Sequence, residues 1–256
     1  MSISVRNLCF SYPDHPVLKD LSFEAPDGVL VAVLGPNGVG KTTLLRCILG
    51  LENHYQGQIM VQGEDVKDLP ARQLARRIAY IPQVHGNAFG YSVMDMVLMG
   101  TSPMMSPAAV PHQKQIDAAM TAMKSVGIEN LKNRSFVHLS GGEQQLVLIA
   151  RALAQNAKVL LMDEPTSSLD FGNQAMVLNQ ARSLARGGYT VLMSTHNPQH
   201  ALWYADYALA LEGGEVVGFG QTDKILDADL ISRLYKMRVS MVSSRSGMLI
   251  CPEESL

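Results

Sequence analysis

The chain has 256 residues and a mass of 27.9 kDa, is 47% hydrophobic and 17% charged, and has a mean hydropathy of +0.07. It is too apolar for a disordered chain and too interrupted for a bundle of membrane helices. A net charge of -2, from 21 basic and 23 acidic residues, leaves no basic footprint for nucleic acid or an anionic lipid surface. The longest aliphatic stretch, Val29 to Leu34, falls far short of a membrane span, and Met1 to Phe10 lacks the order of a signal peptide, so a cytosolic address is expected. Cys9, Cys47 and Cys251 share no metal-type spacing and read as reduced packing thiols.

In chain order, strands are expected at Ile3 to Phe10, Leu18 to Phe23 and Val29 to Leu34, the last an apolar run buried on both faces. Leu44, Leu45, Ile48 and Leu49 then follow at helical spacing, with Gly50 as a stop. Further strands are read at Ile59 to Val61 and Ile78 to Ile81. From Ser92 to Leu153 the pattern is helical, with Met94, Val97 and Leu98 on one stripe and Ala119, Met120, Met123 and Val126 on another. Strands return at Val159 to Met162 and Thr190 to Ser194, separated by a helix through Met176, Val177 and Gln180. This alternation argues for a mostly parallel sheet covered on both faces. The tail adds a strand at Val216 to Phe219, a helix from Asp229 to Tyr235 and a hairpin through Ser243 to Gly247.

Gly35-Pro36-Asn37-Gly38-Val39-Gly40-Lys41-Thr42 has the pattern of a phosphate loop, set after a buried strand and before a helix. Its glycines let backbone N–H groups converge on phosphate oxygens, Lys41 reaches the outer phosphates and the Thr42 hydroxyl suits magnesium. Val159 to Met162 ends in Asp163 and Glu164, where ligands of open parallel sheets sit; Asp163 would hold the magnesium shell and Glu164 would orient or deprotonate water. Ser140-Gly141-Gly142-Glu143 opens a helix. Ser140 and Glu143 have the spacing of a capping box, but two adjacent glycines exceed what a cap needs and would admit a phosphate from outside.

Taken together these motifs resemble the ATP-binding cassette ATPases, the nucleotide-binding subunits of ABC transporters, over roughly residues 1 to 225. The resemblance implies an α/β fold: a P-loop NTPase sheet core with an N-terminal antiparallel β subdomain and an inserted α-helical subdomain. It divides the single domain, 1–256, into a nucleotide-binding core (1–84 and 158–225), a helical subdomain with the signature motif (85–157) and a C-terminal extension (226–256). It also implies ATP and Mg2+ as ligands, with Thr43 added to the phosphate-loop contacts. Ser140, Gly141 and Gly142 become the signature loop, which completes the ATP site of a second copy in a head-to-tail dimer. Tyr12 falls where an aromatic ring stacks on adenine. Gln83 falls where a glutamine touches magnesium and senses the membrane partner. Asp170 matches the loop between the two sites, and His196 matches the switch histidine on the terminal phosphate.

One position departs from the family pattern: Gln144 stands where many members carry arginine. Leu169 to Gln174, Thr195 to Ala201 and Tyr91 to Gly100 look like the importers of iron-siderophore, haem and cobalamin type, a group that includes molybdate and tungstate importers. The resemblance thus implies an ATPase at the cytoplasmic face of the membrane, held there by integral-membrane permease subunits and served indirectly by a substrate-binding protein, with no nucleic acid partner. The Met-rich stretch from Gln83 to Met105 is read as the permease contact. A soluble P-loop kinase or GTPase would lack Leu139 to Glu143, and no Asn-Lys-x-Asp guanine-reading motif occurs.

Overall fold

The computed structural model describes residues 1–13, 15–83, 90–106, 109–245 and 247–253. Of the expected segments, residues 14 and 84 of the core, residues 85–89 and 107–108 of the helical subdomain, Ser246 in the C-terminal hairpin and residues 254–256 of the extension lie outside these.

The first part of the chain forms β1 (Ile3–Tyr12), β2 (His15–Ala25), β3 (Leu30–Leu34), α1 (Lys41–Ile48), β4 (Gln56–Val61), β5 (Glu64–Asp65), α2 (Ala71–Leu74) and β6 (Ile78–Ile81). Next come α3 (Val93–Leu98), α4 (Gln113–Ser125), α5 (Gly141–Ala154), β7 (Val159–Met162), α6 (Phe171–Arg186), β8 (Thr190–Thr195), α7 (Pro198–Tyr204) and β9 (Tyr207–Glu212). The chain closes with β10 (Glu215–Gln221), α8 (Thr222–Ile225), α9 (Ala228–Tyr235), β11 (Val239–Ser244) and β12 (Gly247–Pro252).

Among the described residues the strands form three sheets. An antiparallel sheet in the order β2-β1-β4-β5 stacks its inward residues Ile3, Val5, Phe23 and Ile59 on one face of a second sheet, ordered β10-β9-β3-β8-β7-β6. In that second sheet β9, β3, β8, β7 and β6 run parallel and only β10 is antiparallel. The third sheet is the hairpin β11-β12. Val31 and Val33 of β3 join the core facing the antiparallel sheet, while Ala32 and Leu34 face α7 and the C-terminal segment. Burial on both faces explains why this strand reads as an unbroken apolar run.

Among the described residues the helical stretch expected from Ser92 to Leu153 holds three α-helices, interrupted by 3-10 turns at Met99–Met104, which contains Pro103, at Glu129–Leu131 and at Phe136–His138. Gly100 lies in the first of these because an added Cβ would fall 2.0 Å from the Arg151 carbonyl of α5. Five elements went unread in the sequence: the short β5, α2 and α8, and also β9 and α7. β9 carries the buried run Ala208 to Leu211, and α7 is started by Asn197, whose side chain accepts from the Gln199 N–H, with Pro198 at its first turn. Among the described residues no helix is long and apolar enough to cross a membrane.

Candidate active site

β3 delivers the chain into the loop 35–40, and α1 starts at Lys41. Gly35, at φ +153, could not carry a side chain, since its Cβ would lie 2.6 Å from the Leu211 carbonyl of β9. Gly40 caps α1 in a left-handed conformation, and no side chain caps the helix, so the first N–H groups of α1 face the loop. Lys41 is 5% exposed. Its Nζ donates to the carbonyls of Gly35 (2.8 Å) and Pro36 (3.0 Å) and lies 3.5 Å from Glu164 Oε1. Burial pulls the ammonium pKa below its ordinary value, opposed by the charges of Glu164 and Asp163.

Asp163 follows β7 and is buried. Its Oδ1 accepts from Thr42 Oγ1 (3.1 Å) and Ser194 Oγ (2.7 Å), and its Oδ2 accepts from the Tyr80 hydroxyl (3.3 Å). Burial, and then the Asp163 charge, push the Tyr80 phenol up to about 12, so it stays a donor. Glu164 adopts φ 42, a left-handed conformation uncommon outside glycine and characteristic of functional turns. Its N–H donates to Ser194 Oγ at 2.8 Å, and its Oε2 lies 3.2 Å from His196 Nδ1. The carboxylate is therefore gripped between Lys41 and His196.

These groups border a cavity of about 510 Å³ lined by Tyr12, His15, Val17, Asn37, Gly38, Gly40, Lys41, Thr42, Thr43, Gln83 and Glu164. Tyr12 stands edge-on to Phe10, and its hydroxyl is 3.4 Å from Glu52 Oε1, which fixes the ring at the cavity rim. Gln83 lines the cavity as well and donates to Ser167 Oγ at 2.6 Å. Ser140, Gly141, Gly142 and Asp170 do not line this cavity. Ser140 and Glu143 form the full capping box of α5, and Asp170 caps α6 by accepting from the Asn173 N–H. Gly142 is also required for packing: an added Cβ would fall 2.1 Å from Asn173 Oδ1. Gln144 uses its amide to donate to the carbonyls of Phe136 and Leu139, bracing the turn before α5.

Sequence reasoning missed Ser194, Tyr80, Ser167 and the cavity residues His15 and Val17. Ser194 did leave a signal, as a polar residue inside an otherwise apolar buried strand.

The ABC transporter family matches residues 18–167, more than half of the chain. The chain belongs to the ABC transporter family. It is an ATPase subunit, and its cassette binds ATP. A molybdate import ATP-binding protein of Haemophilus influenzae is 37% identical over 92% of this chain and 88% of its own length. A ferric enterobactin transport ATP-binding protein of Escherichia coli is 35% identical over 93% of this chain and 88% of its own. A solved structure described as a metal-chelate type ABC transporter in an inward-facing conformation superposes with a TM-score of 0.87 at 34% identity, covering 99% of this ABC subunit and 97% of that chain.

Proposed function

We propose that this ABC subunit hydrolyses ATP with magnesium in the cavity above and thereby powers import of a metal chelate, of the iron-siderophore, haem or cobalamin type, through a separate membrane permease. The observation that carries the hydrolytic reading is Glu164, held between Lys41 and His196 at the cavity edge. The names of the enterobactin and metal-chelate relatives support the chelate class; the molybdate relative favours a second reading, an oxyanion such as molybdate or tungstate.

The donor set fits magnesium. Thr42 and Asp163 bring a hydroxyl and a carboxylate within 3.1 Å. Among the described residues no three His, Cys, Asp or Glu side chains form a metal cage, which suits an ion held by one or two protein oxygens, phosphate and water. When bound, the ion neutralises charge on the phosphate oxygens. The loop N–H groups of Gly38, Gly40 and Lys41, with Thr42 and Thr43 behind them, cradle the phosphates, and Lys41 trades the Gly35 and Pro36 carbonyls for phosphate oxygens. Gln83, which also lines the cavity, would offer its amide oxygen to the ion. Tyr12 stacks on the adenine. Glu164 orients water and accepts its proton as oxygen bonds to the terminal phosphorus and the bridging P–O bond breaks. His196 holds the Glu164 carboxylate and contacts the departing phosphate.

Ser140, Gly141, Gly142 and Asp170 lie off this cavity, which supports their serving a second copy in a head-to-tail dimer. The ABC subunit would then be peripheral, at the cytoplasmic face, with the substrate-binding protein engaged only through the permease. A groove of about 740 Å³ between α2, the 99–104 turn and α5, lined in part by Leu51, Leu69, Met99, Pro103 and Arg151, would receive the permease. We keep the division into a nucleotide-binding core at 1–84 and 158–225, a helical subdomain at 85–157 and an extension at 226–256 as part of this proposal.

The test is Glu164→Gln. It should bind ATP with near-normal affinity, hydrolyse it about 10²-fold or more slowly, as loss of a positioned general base does, and accumulate as a nucleotide-bound dimer in size-exclusion chromatography. Near-normal turnover would sink the assignment.

A further inference from the structure

The C-terminal segment lies outside the stretch that matches the family, yet it packs beside the active site at two points. The first is α7, which begins at Pro198, two residues after His196. Gln199, in the first turn of α7, donates from Nε2 to the Met248 carbonyl at 2.9 Å and accepts at Oε1 from the Ile250 N–H at 2.9 Å. One side-chain amide thus reproduces a pair of ladder bonds along the free edge of β12. The same turn is knitted to the residues on either side of the histidine: Asn197 Oδ1 accepts from the Gln199 N–H, and the Asn197 N–H donates to Thr195 Oγ1. The second point is α9, whose residues Ile231 and Tyr235, with Val239 of β11, pack on Ala32 and Leu34 just before the phosphate loop. The Tyr235 hydroxyl is shut off from solvent beside the Gly35 peptide. Arg233 fixes the helix in register through Glu212 of β9, at 2.6 and 2.8 Å.

We propose that the C-terminal hairpin is a working part of the hydrolytic site, with Gln199 as the positioning residue through which β12 holds the histidine turn, and so the His196–Glu164 contact, in place. This rests on the ATPase reading above. Nothing in the bond from Gln199 to β12 touches nucleotide, so its loss should lower turnover and spare affinity.

The experiment uses the full-length protein and two variants that cut the same bond from opposite sides. Gln199→Ala removes the amide; Ile250→Pro removes the N–H, which points away from β11 and contributes no ladder bond, a position where proline is tolerated. Trp203, the protein's one tryptophan, stands against the backbone of Gly247 and reports hairpin seating by its emission. Each variant should lower kcat about tenfold with KM for ATP within about twofold, red-shift Trp203 emission, and give a double variant no slower than the slower single. Val242→Ser, on the exposed face of the same hairpin, should match wild type in all three. Loss of hydrolysis in Lys41→Ala tests the underlying ATPase reading separately. The clamp is overturned if emission shifts while kcat stays at the wild-type value, if neither changes, or if kcat, ATP affinity and melting temperature fall together.

Discussion

The hydroxyl of Ser194 is fully buried and does two jobs, donating to Asp163 Oδ1 and accepting from the Glu164 N–H. Ser194→Ala strips one bond from a buried carboxylate and leaves a backbone donor unpaired, so it should lower unfolding stability by ~1–3 kcal/mol in urea titrations and reduce turnover as well. His200 gives a pH signature. Burial, and then the neighbouring His196, hold its pKa below the ordinary 6.5. The unfolded chain therefore takes up a proton near pH 6.5 that the folded chain refuses, and stability is lost as pH falls below that value. The urea midpoint of wild type should drop between pH 7.5 and 5.5 more steeply than that of His200→Gln. At this scale the sequence spoke clearly where a motif fixes spacing, as for Lys41, Thr42, Asp163 and Glu164, which the fold brings into contact. It was silent on Tyr80 and Ser167, because a partner contributed by a different strand or loop has no spacing to read. Cys47 behaves as a packing thiol, buried and pushed up to about 12 by burial.

Capping explains several features at the scale of the element. Ser140 and Glu143 close a complete box at the start of α5, so the capping reading of that motif holds. Ser92 and Asp95 do the same for α3. Asp95 is thus committed to its own helix, and a charge reversal there would unseat α3 before it probed any partner; the permease surface is better tested from the groove wall. Leu51, 67% exposed on that wall, is the cleaner site. Leu51→Glu should weaken copurification with the permease and its stimulation of ATPase activity while leaving basal hydrolysis within about twofold, as exposed positions distant from a site do. Gly142→Ala tests the contact between α5 and α6. Its methyl must displace Asn173, which is bonded through Nδ2 to Asp170, at a cost of ~1–3 kcal/mol, read as a lower urea midpoint. The apolar helices and strands were largely legible, whereas β9 was not, since its run from Ala208 to Leu211 is made of alanine and leucine, good helix formers, with no β-branched residue. The 3-10 turn at Met99–Met104 broke a helix the periodicity alone continued.

For the whole molecule the decisive prediction concerns two copies. Lys41→Ala and Ser140→Arg chains, each inactive alone, should regain partial hydrolysis when mixed, because one composite site then carries both lesions and the other neither. No recovery on mixing, or full activity of either variant as a monomer, would end the shared-site reading. The order of the central sheet carries a different consequence. β3, laid down early, finds its two neighbours only in β8 and β9, with Leu30 opposite Val191 and Val31 opposite Tyr207. The phosphate loop hangs from β3; Gly40 rests on Val17 and Leu18 of β2, but Gly35 is held against Leu211, so the loop's scaffold is incomplete until residue 211 exists. On the ribosome, that means the lysine-bearing loop is synthesised long before its sheet neighbours can hold it, and nucleotide cannot guide the early stages of folding. Nascent chains arrested before β9 emerges should be cut freely by protease whether or not ATP is supplied, and those arrested after β10 should gain ATP-dependent protection.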